Sequence, residues 1–386
     1  MKKILIVSKC PTHPIDAGNR KLIYNQVELF KELGHEVHFL WVYEQATTDF
    51  DTSEKPFAVM KEYWGDKLHI YRVSKLFHIY TQLLRRFRIY FNNGFHKADD
   101  SYDNGIHRTI NRLNAKFHFD ACVINYYYLS KLATKISIPL VGLTTHDYFS
   151  YKSILVGDKE VALNTTAHQE AISMQRCKHI FAVNSEEAIF FQKLAPLSKV
   201  YNVYCNYTFY KTSVVGNHNI LFFSGSNKYN INGLNWFLNS IFPSIINSYP
   251  DVRLVIGGSI SKHIDTSKYT NIERYGFVDD LDDFFGKGDV VINPTYQGTG
   301  LKIKTFESVS FDKVTMVHPH SMIGIYKPES APIFASEEAE EWVNYLTTIW
   351  CCKNVIEDIK KRNEEYLSEM NTFIKNEYKR FLEQVS

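Results

Sequence analysis

The chain has 386 residues, 45% of them hydrophobic and 22% charged, with a formal net charge of +2. That length exceeds what one hydrophobic core usually serves, so two domains of under about 200 residues each are expected. The near balance of charge argues against a protein built chiefly to bind a nucleic-acid backbone or a highly acidic polymer.

Met1 and two lysines precede an apolar run too short for the core of a signal peptide, and Ile4 to Ser8 reads as a buried first strand. From Arg20 a helical pattern puts Ile23, Val27, Phe30 and Leu33 on one face, and "EVHFLWV" follows as the next strand. The long first loop, "KCPTHPIDAGN", lies at the carboxyl end of strand one, where open α/β sheets bind ligands. "QLLRRFRIYF" mixes Arg85, Arg86 and Arg88 with apolar residues. It reads either as a basic amphipathic helix lying on an anionic membrane, or as core packing with a solvated basic rim. "ACVIN", "PLVGLTTHD" and "HIFAVNS" are further buried strands, completing a first Rossmann-like domain over residues 1–200.

Residues 201–218 carry little periodicity and read as a linker. A second βα series over 219–386 starts at "NILFFSG", runs through a helix from about Ile231 to Ser248, and continues through "RLVIGG", "NIERYGFV", "DVVINP" and "KVTMVHP" to a helical tail. Two successive α/β domains of similar size predict a cleft between them. The acidic run "VDDLDDF" reads as helix capping in preference to a metal site. The six cysteines form no C-x-x-C pair, which suits buried free thiols in a reducing cytosol. No window approaches the roughly 18 apolar residues of a membrane span.

"VVINPTYQGTGLKIKTFESVS" carries the chemistry. A helix starting near Leu301 places Ile303, Phe306 and Val309 on one face and Gly300, Lys304 and Glu307 on another. Gly298 and Gly300 permit close approach of a phosphate to the helix N-terminus, Lys302 or Lys304 adds positive charge, and Glu307 can accept hydrogen bonds from a ribose diol. Diphosphate, ribose and sugar together make a nucleotide sugar. The alternative is a plain strand-turn-helix junction with solvated lysines and a Lys304–Glu307 pair.

In order along nearly the whole chain, "DAGNRKLIYNQVELFKELGHEV", "THD", "HIFAVNS", "ILFFSGSNKYNINGLNWF", "YGFVDDLDDFFGKGDVVINP" and "GTGLKIKTFESVSFDKVTMVHP" resemble the retaining family 4 glycosyltransferases. The resemblance implies the GT-B fold, two Rossmann-like domains facing each other across a cleft, with an N-terminal acceptor domain and a C-terminal donor domain.

It further implies that Gly18 lies against the donor diphosphate, that His146 contacts the transferred sugar, and that Asp147 orients the sugar ring or an acceptor hydroxyl. Gly225, Lys228, Gly298, Thr299, Gly300, Leu301, Lys302 and Glu307 fall at donor-binding positions, and Lys304 joins His146 and Asp147 as a catalytic residue. Asn230 reads as a helix N-cap. Thr299 is a departure: the family carries a glutamate eight positions before the ribose-binding one, here Glu307.

The implied activity moves a sugar from a nucleotide-diphosphate sugar to a lipid-linked or growing bacterial surface glycan, with no cofactor and no metal. The implied setting is cytoplasmic, peripheral at the inner face of the plasma membrane. A catalytically silent nucleotide- or glycan-binding protein and a nucleotide-sugar epimerase are the competing readings. A nicotinamide dehydrogenase is disfavoured, because no G-x-G-x-x-G follows the first strand.

Overall fold

The computed structural model describes residues 1–15, 17–44, 55–91, 95–100, 102–156, 165–300 and 302–384. It divides into two compact units, residues 1–206 with 373–386, and residues 207–372.

The first unit contains β1 (Lys3–Ser8), α1 (Gly18–Glu32), β2 (Glu36–Tyr43), α2 (Lys55–Trp64), β3 (Leu68–Arg72), α3 (Lys75–Phe91), α4 (Asn104–Phe117), β4 (Ala121–Asn125), β5 (Leu140–Thr144), α5 (Phe149–Val156), α6 (Ala167–Gln175), β6 (His179–Ala182), α7 (Ser185–Leu194) and β7 (Lys199–Asn202). All its strands pair in parallel, in the order β3-β2-β1-β4-β5-β6-β7. Ile4 to Val7 are fully buried, as helices on both faces of a parallel sheet require.

The second unit contains β8 (Asn219–Phe223), α8 (Lys228–Trp236), α9 (Phe242–Ser248), β9 (Arg253–Gly257), β10 (Ile272–Gly276), α10 (Leu281–Phe285), β11 (Val290–Asn293), α11 (Ile303–Ser310), β12 (Val314–Val317), β13 (Ile333–Ala335), α12 (Ala339–Cys351) and the part of α13 (Lys353–Leu382) up to Thr372. Its parallel sheet runs β10-β9-β8-β11-β12-β13. Alternate residues of β8 serve opposite faces: Ile220 and Phe222 join Leu234, Trp342 and Leu346, whereas Leu221 joins Phe284, Phe285 and Phe311. Each sheet thus reverses its strand order beside its first strand, at β1/β4 and at β8/β11, and the crevice at such a point is where this architecture binds ligands.

Several expectations shift. The helix read from about Ile231 to Ser248 spans α8 and α9, joined by a π turn at Phe237–Ile241 beside Pro243, whose nitrogen carries no proton to close an α-helical bond. The stretch read as a 201–218 linker is divided between the units, and Tyr201, Val203, Cys205 and Tyr207 are buried. Residues 373–386, read as the tail of the second domain, belong to the first unit. Cys10, Cys122, Cys177 and Cys205 are buried free thiols, but Cys351 and Cys352, at the junction of α12 and α13, are exposed.

Candidate functional site

In the second unit the sequence after β11 forms a loop that only glycine negotiates easily. Gly298 has φ 98° and Gly300 φ 81°, so both occupy the left-handed region on either side of Thr299. His320, from the turn after β12, shares a hydrogen bond of 2.9 Å between Nε2 and the Gly298 carbonyl, and Lys302 Nζ donates to the same oxygen at 3.4 Å. The Thr299 Oγ1 is buried and finds no partner among the described residues. α11 starts directly beyond, with no side-chain cap, so its first amide protons remain available to an anion.

Behind the loop, α8 approaches so closely that a Cβ on Gly233 would lie 2.8 Å from the Pro294 carbonyl oxygen. That contact brings Asn230 to Lys304. The Asn230 Oδ1 accepts from Lys304 Nζ, and its Nδ2 donates to the Gly225 carbonyl at 2.9 Å. Asn230 is therefore an interior bridge between the loop after β8 and α11, and the N-cap is Asn227, whose side chain accepts from the Asn230 amide at 3.0 Å. Burial pulls the Lys304 ammonium down to about 7, opposed by the charge of Glu307. Lys228 is exposed at the start of α8, and Glu307 is half-buried on α11. Leu301 lies outside the described residues.

In the first unit Gly18 opens α1, which has Ala17 at its N-cap, no side-chain cap and no acid in its first turn. Its N-terminal partial positive charge thus meets no acid within the helix's own first turn. Beside it, at the carboxyl ends of β4 and β5, Tyr126 (φ 75°) and His146 (φ 70°) both hold the left-handed region. Two such non-glycine residues at adjacent strand ends mark stored backbone strain. Their rings stack at 4.0 Å between centroids and 8° between planes. The Tyr126 hydroxyl accepts from Asn19 Nδ2 at 3.0 Å and from Cys10 Sγ at 3.6 Å.

His146 Nε2 lies 2.8 Å from Asn125 Oδ1, while Asn125 Nδ2 donates to the Val7 carbonyl at 3.4 Å. An amide oxygen can only accept, so Nε2 carries the proton and Nδ1 presents a lone pair. Burial depresses the His146 imidazole to about 3, which keeps it neutral. Asp147 is buried, accepts from the Tyr148 amide at 3.0 Å and pairs with Lys152 at 2.8 Å. Nearby Glu187, pushed up to about 8 by burial and then by the Asp147 charge, accepts from Thr145 Oγ1 at 2.6 Å.

The structure therefore gathers Gly225, Gly298, Gly300, Lys302 and Lys304 around the head of α11, and gathers His146 and Asp147 with Gly18 at the β1/β4/β5 end. Asn19, Asn125, Tyr126, Asn230 and His320 were not read as site residues from the sequence. The one signal for Asn125 was a polar residue closing an apolar strand. Arg88 does not belong to a surface patch: it is 7% exposed and pairs with Asp100. Arg86 is exposed on α3, and the Arg85 side chain lies outside the described residues. The run at Asp279–Asp283 caps α10, with Asp280 Oδ1 accepting from the Asp282 amide at 2.8 Å.

Residues 217–350 match the family model described as "Glycosyl transferases group 1". A Klebsiella pneumoniae protein described as "Uncharacterized 44.6 kDa protein in cps region" is 21% identical over 329 residues, 80% of this chain and 81% of that one. Among solved structures, Anabaena HepE in complex with UDP and glucose superposes with a TM-score of 0.64 at 13% identity, over 98% of this chain and 99% of its own. TarM of S. aureus, in complex with fondaparinux, alpha-GlcNAc-glycerol and UDP, gives 0.64 at 8% identity, over 99% and 100%. The sucrose-phosphate synthase of Thermosynechococcus elongatus gives 0.64 at 11%, over 100% and 99%. The two parallel-sheet units are those of the GT-B fold, and the family match over residues 217–350 supports a glycosyltransferase.

Proposed function

We propose that this protein transfers a sugar from a nucleotide-diphosphate sugar to a growing surface glycan, of capsular type, with retention of anomeric configuration. The observation that carries the reading is the pair of left-handed glycines bracketing Thr299 at the uncapped head of α11, with Lys304 and Glu307 close behind on the helix. HepE and TarM have both been solved with UDP, and the K. pneumoniae relative is described as lying in a cps region.

In this reading the C1–O bond to the diphosphate breaks, and negative charge grows on the leaving phosphate. The α11 amides and the ammonium groups of Lys302 and Lys304 stabilise that charge without a metal. Glu307 holds the ribose hydroxyls. The acceptor hydroxyl attacks C1 on the same face, and its proton passes to a leaving phosphate oxygen. Neutral His146, with Nδ1 as acceptor, takes a hydrogen bond from a sugar hydroxyl, and Asp147 orients the ring.

Calorimetric titration of the full chain with UDP-, GDP-, ADP- and dTDP-sugars should show selective binding, weakened on the order of 100-fold by Glu307→Ala. Absence of binding to every donor, or equal binding by a folded variant, would sink the reading. Turnover with a product of inverted configuration would leave a glycosyltransferase but remove retention. Replacing Asn125 by leucine frees the His146 tautomer and should lower kcat on the order of 10²-fold with little change in donor KM. An unchanged kcat would show that His146 acts without that restraint.

The reading also places the enzyme at the inner face of the plasma membrane. Among the described residues no helix is long and apolar enough to cross a membrane. Yet α3 exposes Leu76, Ile79, Leu83, Phe87 and Phe91 at helical spacing, flanked by exposed Lys75 and Arg86. The full chain should sediment with phosphatidylglycerol-containing vesicles, and Leu83→Glu with Phe87→Glu should return it to the supernatant. Equal sedimentation of that variant would remove α3 as the contact.

A further inference from the structure

Apart from the residues assigned above to donor and sugar, the first unit contains a pocket of about 530 Å³, within the range of small-ligand sites. Phe77 and Tyr80 of α3 form one wall, Gln169, Ile172 and Arg176 of α6 another, and Lys97 to Asp100, Tyr102 and Asn104 close it. Its chemistry is mixed in a particular way. The Phe77 and Tyr80 rings lie 6.2 Å apart, and Tyr80 is 54% exposed, which offers an aromatic face to a ligand.

The aspartates and the arginine of the pocket already answer one another or a neighbouring cation. Asp99 holds Arg176 through both guanidinium nitrogens, at 2.5 and 3.1 Å, and Lys131 at 3.3 Å, while Asp100 pairs with Arg88. Arg176 is therefore spent on Asp99, the remaining lining cation, Lys97, is exposed at the rim, and an anion inside the pocket would meet two carboxylates. Each carboxylate still has lone pairs to accept hydroxyl protons. Gln169 is oriented by its Oε1, which accepts from the Ala98 amide at 2.9 Å, and its NH₂ has no partner among the described residues. Aromatic faces for C–H surfaces, fixed acceptors and a fixed amide donor are the combination that recognises an uncharged sugar ring.

We infer that this pocket binds a neutral sugar residue of the acceptor glycan, one that is not itself glycosylated in the reaction. The inference deepens the glycosyltransferase reading and rests on it for the word acceptor. Its consequence is that acceptor length matters: a glycan reaching the pocket binds more tightly than one that stops short.

The test is a glycan array of neutral hexose and N-acetylhexosamine oligosaccharides, with uronic-acid-bearing and phosphorylated counterparts, probed with the full chain and with Tyr80→Ala and Gln169→Ala. Neutral members should bind, and each variant should weaken that binding at least tenfold while UDP-sugar binding stays at the wild-type value as a check of folding. Binding to no neutral member, preference for the charged counterparts, or neutral binding unmoved by both variants would each overturn the inference. Glycan binding at this pocket in a protein that binds no nucleotide sugar would keep the pocket and refute the transferase reading, so the two failures are separable.

Discussion

Replacing Lys304 by methionine should make the protein more resistant to heat at pH 6 and nearly inactive. In the free protein Lys304 is pulled down to about 7 because burial disfavours its charge, with the Asn230 oxygen accepting its hydrogen bond. A folded-state lysine pKa below the unfolded value means that the group opposes folding at low pH, and that this penalty is relieved as pH rises through about 7 toward the unfolded value. Methionine removes the penalty and should raise Tm most at acid pH, read by calorimetric scans at pH 6 and pH 9. A diphosphate reverses the balance by favouring the ammonium. Donor binding by the wild type should take up a proton above pH 7, with affinity falling up to about tenfold per pH unit there, and Lys304→Met should lose that dependence. Removal of one positive partner of the leaving group should lower kcat by about 10² to 10³, or ~2.7–4 kcal/mol. A variant with wild-type turnover, or a wild-type affinity flat between pH 6 and pH 9, would show that Lys304 does not meet the diphosphate.

The second large effect concerns stability at the opposite end of the second sheet. Asp289, 1% exposed just before β11, accepts from the amides of Val215 and Gly216 at 3.0 and 2.7 Å, and Lys360 of α13 lies 3.8 Å from both Asp289 and Asp312. Lys360 also donates to Thr212 Oγ1 at 2.9 Å. Asp289→Ala leaves two backbone donors unpaired and a buried ammonium with Asp312 alone, a loss of about 3–5 kcal/mol. Lys360→Met removes its own desolvation cost together with the pair and should cost less. Urea unfolding can resolve this by tryptophan emission, because Trp236, Trp342 and Trp350 lie in the second unit and Trp41 and Trp64 in the first. The second-unit transition should move to lower urea in Asp289→Ala. An unmoved midpoint would mean that the network contributes nothing net.

How much of this was legible beforehand follows from burial. β1, β2, β4, β8, β9, β11 and β12 are central, covered on both faces, and so appear as continuous apolar runs. Three of the four edge strands, β3, β7 and β13, are short and half-exposed and leave no such run, so Leu68–Arg72, Lys199–Asn202 and Ile333–Ala335 went unread, whereas the fourth, β10, was read within "NIERYGFV". The loop between Gly298 and Gly300 was readable because positive φ has a residue signature. Asn230 and Asn125 were not, because their partners, Lys304 and His146, are 74 and 21 positions away and a side-chain hydrogen bond leaves no local pattern. For the same reason Arg88 looked like its neighbours, although its pairing with Asp100 takes it off the surface.

The end of α13 sets a constraint on synthesis. Tyr378 packs its ring 5.0 Å from Phe30 and 5.1 Å from Phe181, Phe381 lies 4.8 Å from Phe181, and the Tyr378 hydroxyl receives the Gln26 amide at 2.9 Å. These residues complete the core of the first unit, yet the ribosome delivers them only after the whole of the second. The first half of the chain must therefore wait, with an apolar face around Phe30 and Phe181 uncovered, until residues 373–384 emerge. A fragment ending at Asn206 would keep that face permanently, and chaperone occupancy on the nascent chain should persist until residues 373–384 have emerged.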